Sequence, residues 1–341
     1  MTTDEYLEKI DSELEFTTVD THTAGEPTRI LVDGFDSSTL EGDSVRAKRE
    51  LFAQQYDWIR KLLTEEPRGH NDMFGAVTVE PSDVEADLGV FFFDGGGYLD
   101  MCGHGTIGVV TAFVELGLLD EKEVINVETP AGLVSTKPKF GEGGVEQVEI
   151  QNVKSFVHES IAISTSFSNS PIHVDIVYAG NYFAMIDSKE IDTKISTKNT
   201  TALVEHGVEI RDIVNERVDL VHPISGEAGE VSITEIYASR DGPDHSIVVF
   251  GDGQIDRSPC GTGTCAKMAL LHDSGNLDVG EEYLHASIIG TQFEGKITSV
   301  EQRNGTQLIT PTVTGSAWII GKQTLLKQPR DPITSLNMSS K

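Results

Sequence analysis

The chain has 341 residues, with 55 Asp and Glu against 26 Lys and Arg, so its formal charge is 26 − 55 = −29. A length near two average domains, with 38% apolar residues, suits folded cores and excludes an acidic disordered chain. So negative a balance excludes nucleic-acid binding, which needs clustered cations against phosphates, and the longest mostly apolar stretch, near Ile107–Leu119, is too short for a membrane span and contains Glu115. The acidic start, MTTDEYLEKIDSELEF, lacks the basic-then-apolar order of a signal peptide. Three cysteines make no disulfide framework, so a reducing cytoplasm is expected. The surplus charge reads as a surface adapted to concentrated salt, where screening relieves self-repulsion.

Residues 1 to about 14 read as a loose acidic lead. Phe16–Val19 reads as a first strand entering a turn-rich segment, Asp20-Thr21-His22-Thr23-Ala24-Gly25-Glu26-Pro27, before apolar Ile30–Val32. From about Thr39 to Leu63, Val45, Phe52, Tyr56, Ile59 and Leu63 recur three, four or seven apart. That spacing predicts one amphipathic helix ending before Pro67. Strands are expected at Phe74–Val79 and Val90–Phe93, then a Gly95-Gly96-Gly97 turn. Ile107, Val110, Thr111, Val114 and Leu118 keep helical spacing, which sets Cys102 at a helix N-terminus. Glycine-rich Gly141–Gly144 is the candidate domain boundary. Beyond it strands dominate, at Val145–Ile150, His173–Val177 and Ile247–Phe250, until a second short helix over about Gly263–Ser274.

The chain repeats itself. Phe93-Asp94-Gly95-Gly96 leads into Cys102-Gly103-His104-Gly105-Thr106, and Phe250-Gly251-Asp252-Gly253 leads into Cys260-Gly261-Thr262-Gly263-Thr264, 158 positions later. A weaker echo pairs Thr23-Ala24-Gly25-Glu26 with Tyr178-Ala179-Gly180-Asn181, 155 apart. A repeat this long is not a solenoid period; it indicates two pseudo-symmetric halves. A cysteine at a helix start meets free N–H groups and a partial positive charge, which favour the thiolate. The glycines let backbone N–H groups approach an anion such as a carboxylate. If the halves face each other, one thiolate can take a proton from one face of a carbon while the opposing thiol supplies one to the other. Three other readings of these cysteines stand beside that one: buried structural thiols, a zinc site from Cys102, His104 and Cys260, or a cysteine hydrolase with a histidine base. The zinc reading lacks paired-ligand spacing, and the hydrolase leaves the repeat unexplained. Cys265 reads as core packing. No dinucleotide fingerprint or P-loop is present.

With those motifs in place, the chain resembles the proline racemase family of the diaminopimelate epimerase-like superfamily along nearly its whole length. The matching segments are Asp20–Pro27, Pro67-Arg68-Gly69-His70-Asn71-Asp72-Met73-Phe74-Gly75, Met101–Gly108, Gly180-Asn181-Tyr182-Phe183-Ala184 and Asp256–Thr264. The resemblance implies an α/β fold of two pseudo-symmetric domains, each a curled β-sheet around a central helix, with the active site in the inter-domain cleft. Residues 1–143 plus 315–341 would form the domain carrying Cys102, and 144–314 the domain carrying Cys260, with Thr314–Ile320 as the return. The implied activity is a cofactor-independent, metal-free isomerisation of proline or hydroxyproline by an enzyme that is usually a homodimer. Cys102 and Cys260 resemble the proton-transferring thiols. Gly103, His104, Gly261 and Thr262 resemble the turns holding the substrate carboxylate, and Asp256 the acceptor for the ring nitrogen. His22 and His70 are read as structural or supporting residues.

Three related activities share this scaffold. Trans-3-hydroxyproline dehydratases carry threonine in place of the second cysteine, whereas Cys260 is intact here. Hydroxyproline epimerases tend to be polar where this chain has His70–Phe74 and to carry histidine where it has Phe250. Phe74 and Phe250 would instead wall an unsubstituted pyrrolidine ring, and burying an unpartnered hydroxyl against them costs about 1–3 kcal/mol. Proline is the expected substrate, with 4-hydroxyproline the alternative and a silent cyclic amino-acid binding protein the alternative of a different class.

Overall fold

The computed structural model describes residues 12–240 and 242–336, so the expected acidic lead lies outside the described residues as far as residue 11. The strands follow one plan twice. In the first half, the hairpin of Leu14–Thr23 and Glu26–Asp33 leads into helices α1 (Val45–Gln55) and α2 (Asp57–Thr64). These cross over to Gly75–Val79, parallel to Glu26–Asp33. Leu88–Phe93 follows antiparallel, and α3 (Gly103–Glu115) crosses over to Ile125–Thr129, parallel to it. In the second half, the hairpin of Ile172–Tyr178 and Tyr182–Asp187 leads into α4 (Thr200–Arg217), which crosses to Val231–Arg240. Gly242–Phe250 follows, and α5 (Gly261–Asp273) crosses to the parallel strand Glu282–Ala286. Each half closes with a hairpin, Gly132–Gly141 with Gly144–Gln151 and Gln292–Arg303 with Thr306–Gly315.

Edges are shared between the halves. The last strand, Ala317–Lys327, returns to pair with Leu14–Thr23, while Phe156–Ile163 pairs with Ile172–Tyr178. Thr312–Gly315 pairs with Val148–Gln151, which joins both curled sheets into one hydrogen-bonded network of 18 strands. Helix α3 lies inside the first sheet and is buried from Gly103 to Val114. Helix α5 lies inside the second and is buried from Gly261 to Ala269. A helix buried all round is a core helix rather than a surface one, and each fully buried Val or Ile on it contributes about 1.5–3 kcal/mol. This burial aims both helix N-termini at the junction of the halves. There a Cβ on Gly103 would sit 2.6 Å from the Gly261 Cα.

Four expectations change. The first strand does not stop at Val19 but runs to Thr23, because the turn needs only Ala24 and Gly25, both at positive φ. The single helix expected over 39–63 is two, broken at Tyr56, whose φ of −128° leaves the helical region. Segment 141–144 is a hairpin turn, and the strand after it packs on α3. The region read as strand-dominated contains α4, at 18 residues the longest helix among those described. Only Leu203, Gly207, Ile210 and Val214 of α4 are buried, a stripe too narrow to stand out among its charges. Among the described residues, no helix is long and apolar enough to cross a membrane.

Candidate active site

Each CGxGT segment builds the same cap. Cys102 is the N-cap of α3, and its Sγ accepts from the Gly105 N–H at 3.2 Å. Cys260 is the N-cap of α5, and its Sγ accepts from the Gly263 N–H at 3.3 Å. The Thr106 and Thr264 hydroxyls close the first turns on the cysteine carbonyls, at 2.7 and 2.8 Å. Glycine is needed behind each sulfur: a Cβ at Gly105 or Gly263 would lie 3.1 or 3.2 Å from it. The two caps differ in backbone. Cys102 is extended, whereas Cys260 has φ +61°, a strained region for a side-chain-bearing residue. Ser258 holds that turn, accepting from the Cys260 N–H at 3.1 Å while its own N–H donates to Asp256 at 2.7 Å.

Both thiols line one narrow, nearly closed cavity of about 20 Å³, together with Phe74, Gly103, His104, Phe250, Asp256 and Thr262. Of the nine residues singled out in the sequence, only Gly261 does not line it; its place is the contact with Gly103. Phe74 and Phe250 meet edge to face at 6.2 Å, and Phe74 packs on the His104 ring at 4.6 Å. Leu99, Met101, Ile233 and Val248 complete the wall; they look in sequence like any core residue on a strand. His22 and His70 stay outside. His22 stacks on Trp318 and accepts from the Gly25 N–H. A wider polar cleft, lined by Arg46, Arg49, Tyr178 and Tyr182, takes Tyr98 and Asp100, while the alternating Leu99 and Met101 face the cysteines. It holds neither thiol.

Charge is distributed unevenly around the two sulfurs. His104 Nδ1 lies 3.3 Å from the Cys102 sulfur and 3.6 Å from an Asp256 oxygen. Burial works against a charged ring there, but Cys102 and Asp256 outweigh it and hold His104 well above the ordinary histidine range. Cys260 faces the opposite field: burial, then Asp256 and Glu235, push its thiol well up, against the hydrogen bonds from Thr262 and Gly263. Behind Cys260 lies a pair that the sequence did not reveal. Glu235 is fully buried and its Oε1 is 3.2 Å from His285 Nε2, whose other ring nitrogen meets the Thr264 hydroxyl at 3.1 Å. Burial pushes Glu235 up to about 8 and His285 down to about 3, so both are neutral at pH 7. A carboxyl proton between Oε1 and Nε2 then satisfies atoms that otherwise have no partner. Glu26, also buried, is raised by burial and by Asp256. Among the described residues no group of three or more His, Cys, Asp or Glu could hold a metal ion.

Residues 18–335 match the protein family described as proline racemase. A proline racemase from Acetoanaerobium sticklandii is 40% identical over 322 residues, covering 92% of this chain and 96% of that protein. A trans-3-hydroxy-L-proline dehydratase from Bacillus thuringiensis subsp. konkukian is 35% identical, covering 93% of this chain and 96% of its own. Among solved structures, a hydroxyproline epimerase from Agrobacterium vitis with bound trans-4-hydroxy-L-proline superposes with a TM-score of 0.89 at 27% identity, covering 96% of each chain. The duplicated curled sheets, the paired helix caps and these matches agree, and the chain belongs to the proline racemase family as an isomerase of the racemase and epimerase type.

Proposed function

We propose that the protein interconverts L- and D-proline, with one cysteine removing the Cα proton from one face and the other delivering a proton to the opposite face. The Cα–H bond breaks to a thiolate, its electron pair passes into the carboxylate group, and the opposing S–H proton forms the new bond. The two sulfurs exchange protonation on each turnover. One observation carries the reading: two helix N-termini meet Gly103 on Gly261, with a thiol capping each and one cavity touching both. Those N-termini suit the substrate carboxylate, and Asp256, 3% exposed, suits the ring ammonium. The uneven field supports one choice of resting roles. Burial and Asp256 hold the Cys260 thiol well up, so Cys260 keeps its proton and starts as the acid, which leaves Cys102, beside His104, to start as the base. Closure of the halves excludes water and strengthens each of these interactions.

The Phe74–Phe250 wall favours proline. The ligand bound to the Agrobacterium vitis epimerase favours a second reading, 4-hydroxyproline epimerisation. Incubation in deuterated water, followed by proton NMR and polarimetry, separates them. L-Proline is expected to lose its α-proton signal while rotation decays to zero, and trans-4-hydroxy-L-proline to react far more slowly. Faster reaction of hydroxyproline establishes the second reading; no exchange with either ends both. Cys102→Ser and Cys260→Ser are each expected to abolish turnover, and retained wild-type turnover removes that cysteine from the mechanism.

A further inference from the structure

The weaker echo in the sequence, Thr23–Glu26 against Tyr178–Asn181, occupies a specific place. Both segments turn on a glycine at positive φ, Gly25 at +103° and Gly180 at +98°. Each turn presses on the other half. A Cβ at Gly25 would lie 2.7 Å from Ile289 and 3.5 Å from the Arg257 Cβ, and one at Gly180 would lie 2.8 Å from the Met101 Cβ. The residue after each glycine then reaches across. Glu26 Oε2 accepts from the Arg257 backbone N–H at 2.7 Å. The Asn181 side chain accepts from the Asp100 N–H at 3.2 Å and donates to the Met101 carbonyl at 2.7 Å. Arg257 lies three residues before Cys260; Asp100 and Met101 lie two and one before Cys102. Both reaching side chains are buried, Glu26 fully and Asn181 to within 7%.

We propose that Glu26 and Asn181 are a reciprocal pair of positioning residues, each fixing the backbone that delivers the other half's thiol. Each turn belongs to one sheet and its target to the opposite helix cap, so approach of the halves and alignment of the sulfurs become one event. The importance of that alignment rests on the two-thiol reading above; the crossed geometry does not.

The test reads each cysteine separately. Wild type, Glu26→Ala and Asn181→Ala are labelled with iodoacetamide, and modification of Cys102, Cys260 and Cys265 is followed by peptide mass spectrometry. Loss of a buried hydrogen bond that holds a loop is expected to speed labelling of the thiol it serves by about tenfold. Asn181→Ala should therefore accelerate Cys102 and leave Cys260 within twofold, and Glu26→Ala should do the reverse. Fully buried Cys265 reports global loosening. If it labels in an alanine variant, the conservative partner replaces that variant: Glu26→Gln keeps an acceptor and should label Cys260 at the wild-type rate, while Asn181→Asp opposes the Met101 carbonyl and should accelerate Cys102 alone. Acceleration of the same cysteine by both positions, of both equally, or of neither overturns the proposal. None of these rates involves turnover, so the racemase reading and this one fail independently. With active enzyme, the primary isotope effects on α-deuterated L- and D-proline should rise for opposite enantiomers in the two variants, a split that general destabilisation does not produce.

Discussion

The contact between Gly103 and Gly261 can be tested by a single methyl group. In Gly103→Ala the new Cβ would stand 2.6 Å from the Gly261 Cα, 3.2 Å from its carbonyl carbon and 3.3 Å from its nitrogen. Carbon atoms pack comfortably at about 3.5–4.0 Å, so the helix caps must separate by about 1 Å. Every atom met is backbone, and no side-chain rotamer can relieve the clash. Overpacking of this kind costs about 1–3 kcal/mol of stability. The larger effect falls on turnover, because a misplacement of about 1 Å between reacting groups costs about a hundredfold in rate. Polarimetry with L-proline should show kcat/KM down by about that factor, with Cys102 and Cys260 both still titratable. Gly321→Ala is the control: its position on the returning strand has no atom within 4 Å of an added Cβ, and it should match wild type. A Gly103→Ala enzyme within threefold of wild type, or a control equally impaired, would refute the claim that the two helix ends set the sulfur geometry.

Substitution of Phe250 tests the apolar wall: Phe250→His gives a substrate hydroxyl a partner and should shift kcat/KM toward trans-4-hydroxy-L-proline over proline by about ten- to a hundredfold, and an unchanged ratio counts against the wall as the selector. Glu235 sets a pH dependence of stability. Its carboxyl is held up at about 8 in the fold against about 4.3 when unfolded, so its contribution is intact below the lower value and is lost as pH rises toward the upper, by at most about 1.4 kcal/mol per pH unit. Glu235→Gln should match wild type in thermal unfolding at pH 4 and exceed it at pH 9; equal midpoints at pH 9 would mean that the carboxyl is not held neutral. For the charge of −29, raising KCl from 0.1 to 1 M shortens the screening length from about 10 to 3 Å and should raise the unfolding midpoint, which a salt-independent midpoint would contradict.

The residues that make local chemistry were legible before the fold was. The helical spacing of Ile107, Val110, Thr111, Val114 and Leu118 set Cys102 at a helix start, and the recurrence of cysteine, glycine and then GT 158 residues later announced a second, related cap. What stayed hidden depends on distance in the chain. Glu235 and His285 are 50 residues apart and meet because Gly242–Phe250 pairs with both of their strands. Leu99, Met101, Ile233 and Val248 carry no mark that separates a cavity wall from a core. Helix α4 escaped because its buried stripe, Leu203, Gly207, Ile210 and Val214, is thin and includes a glycine. Yet α4 is the counterpart of α1 and α2: each connects a hairpin to the next parallel strand. Recognising the repeat as architecture, not only as motif, would have required a helix there.

The mismatches between the repeats carry as much information as the matches. Within the CGxGT core the one differing position is His104 against Thr262, and both side chains touch the neighbouring sulfur, at 3.3 and 3.6 Å. A charged ring beside one thiol and a neutral hydroxyl beside the other give two thiols that each cap a helix different electrostatic surroundings. The turn segments repeat the pattern, with Glu26 reaching toward the Cys260 side and Asn181 toward the Cys102 side. Burial and the Asp256 carboxylate push the Cys260 thiol up, and across the junction an acid holds the Cys260 side while an amide holds the Cys102 side. The two-thiol reaction proposed above calls for two opposed sulfurs and a resting difference in charge between them. Duplication supplies the first, and the few positions where the copies diverge supply the second.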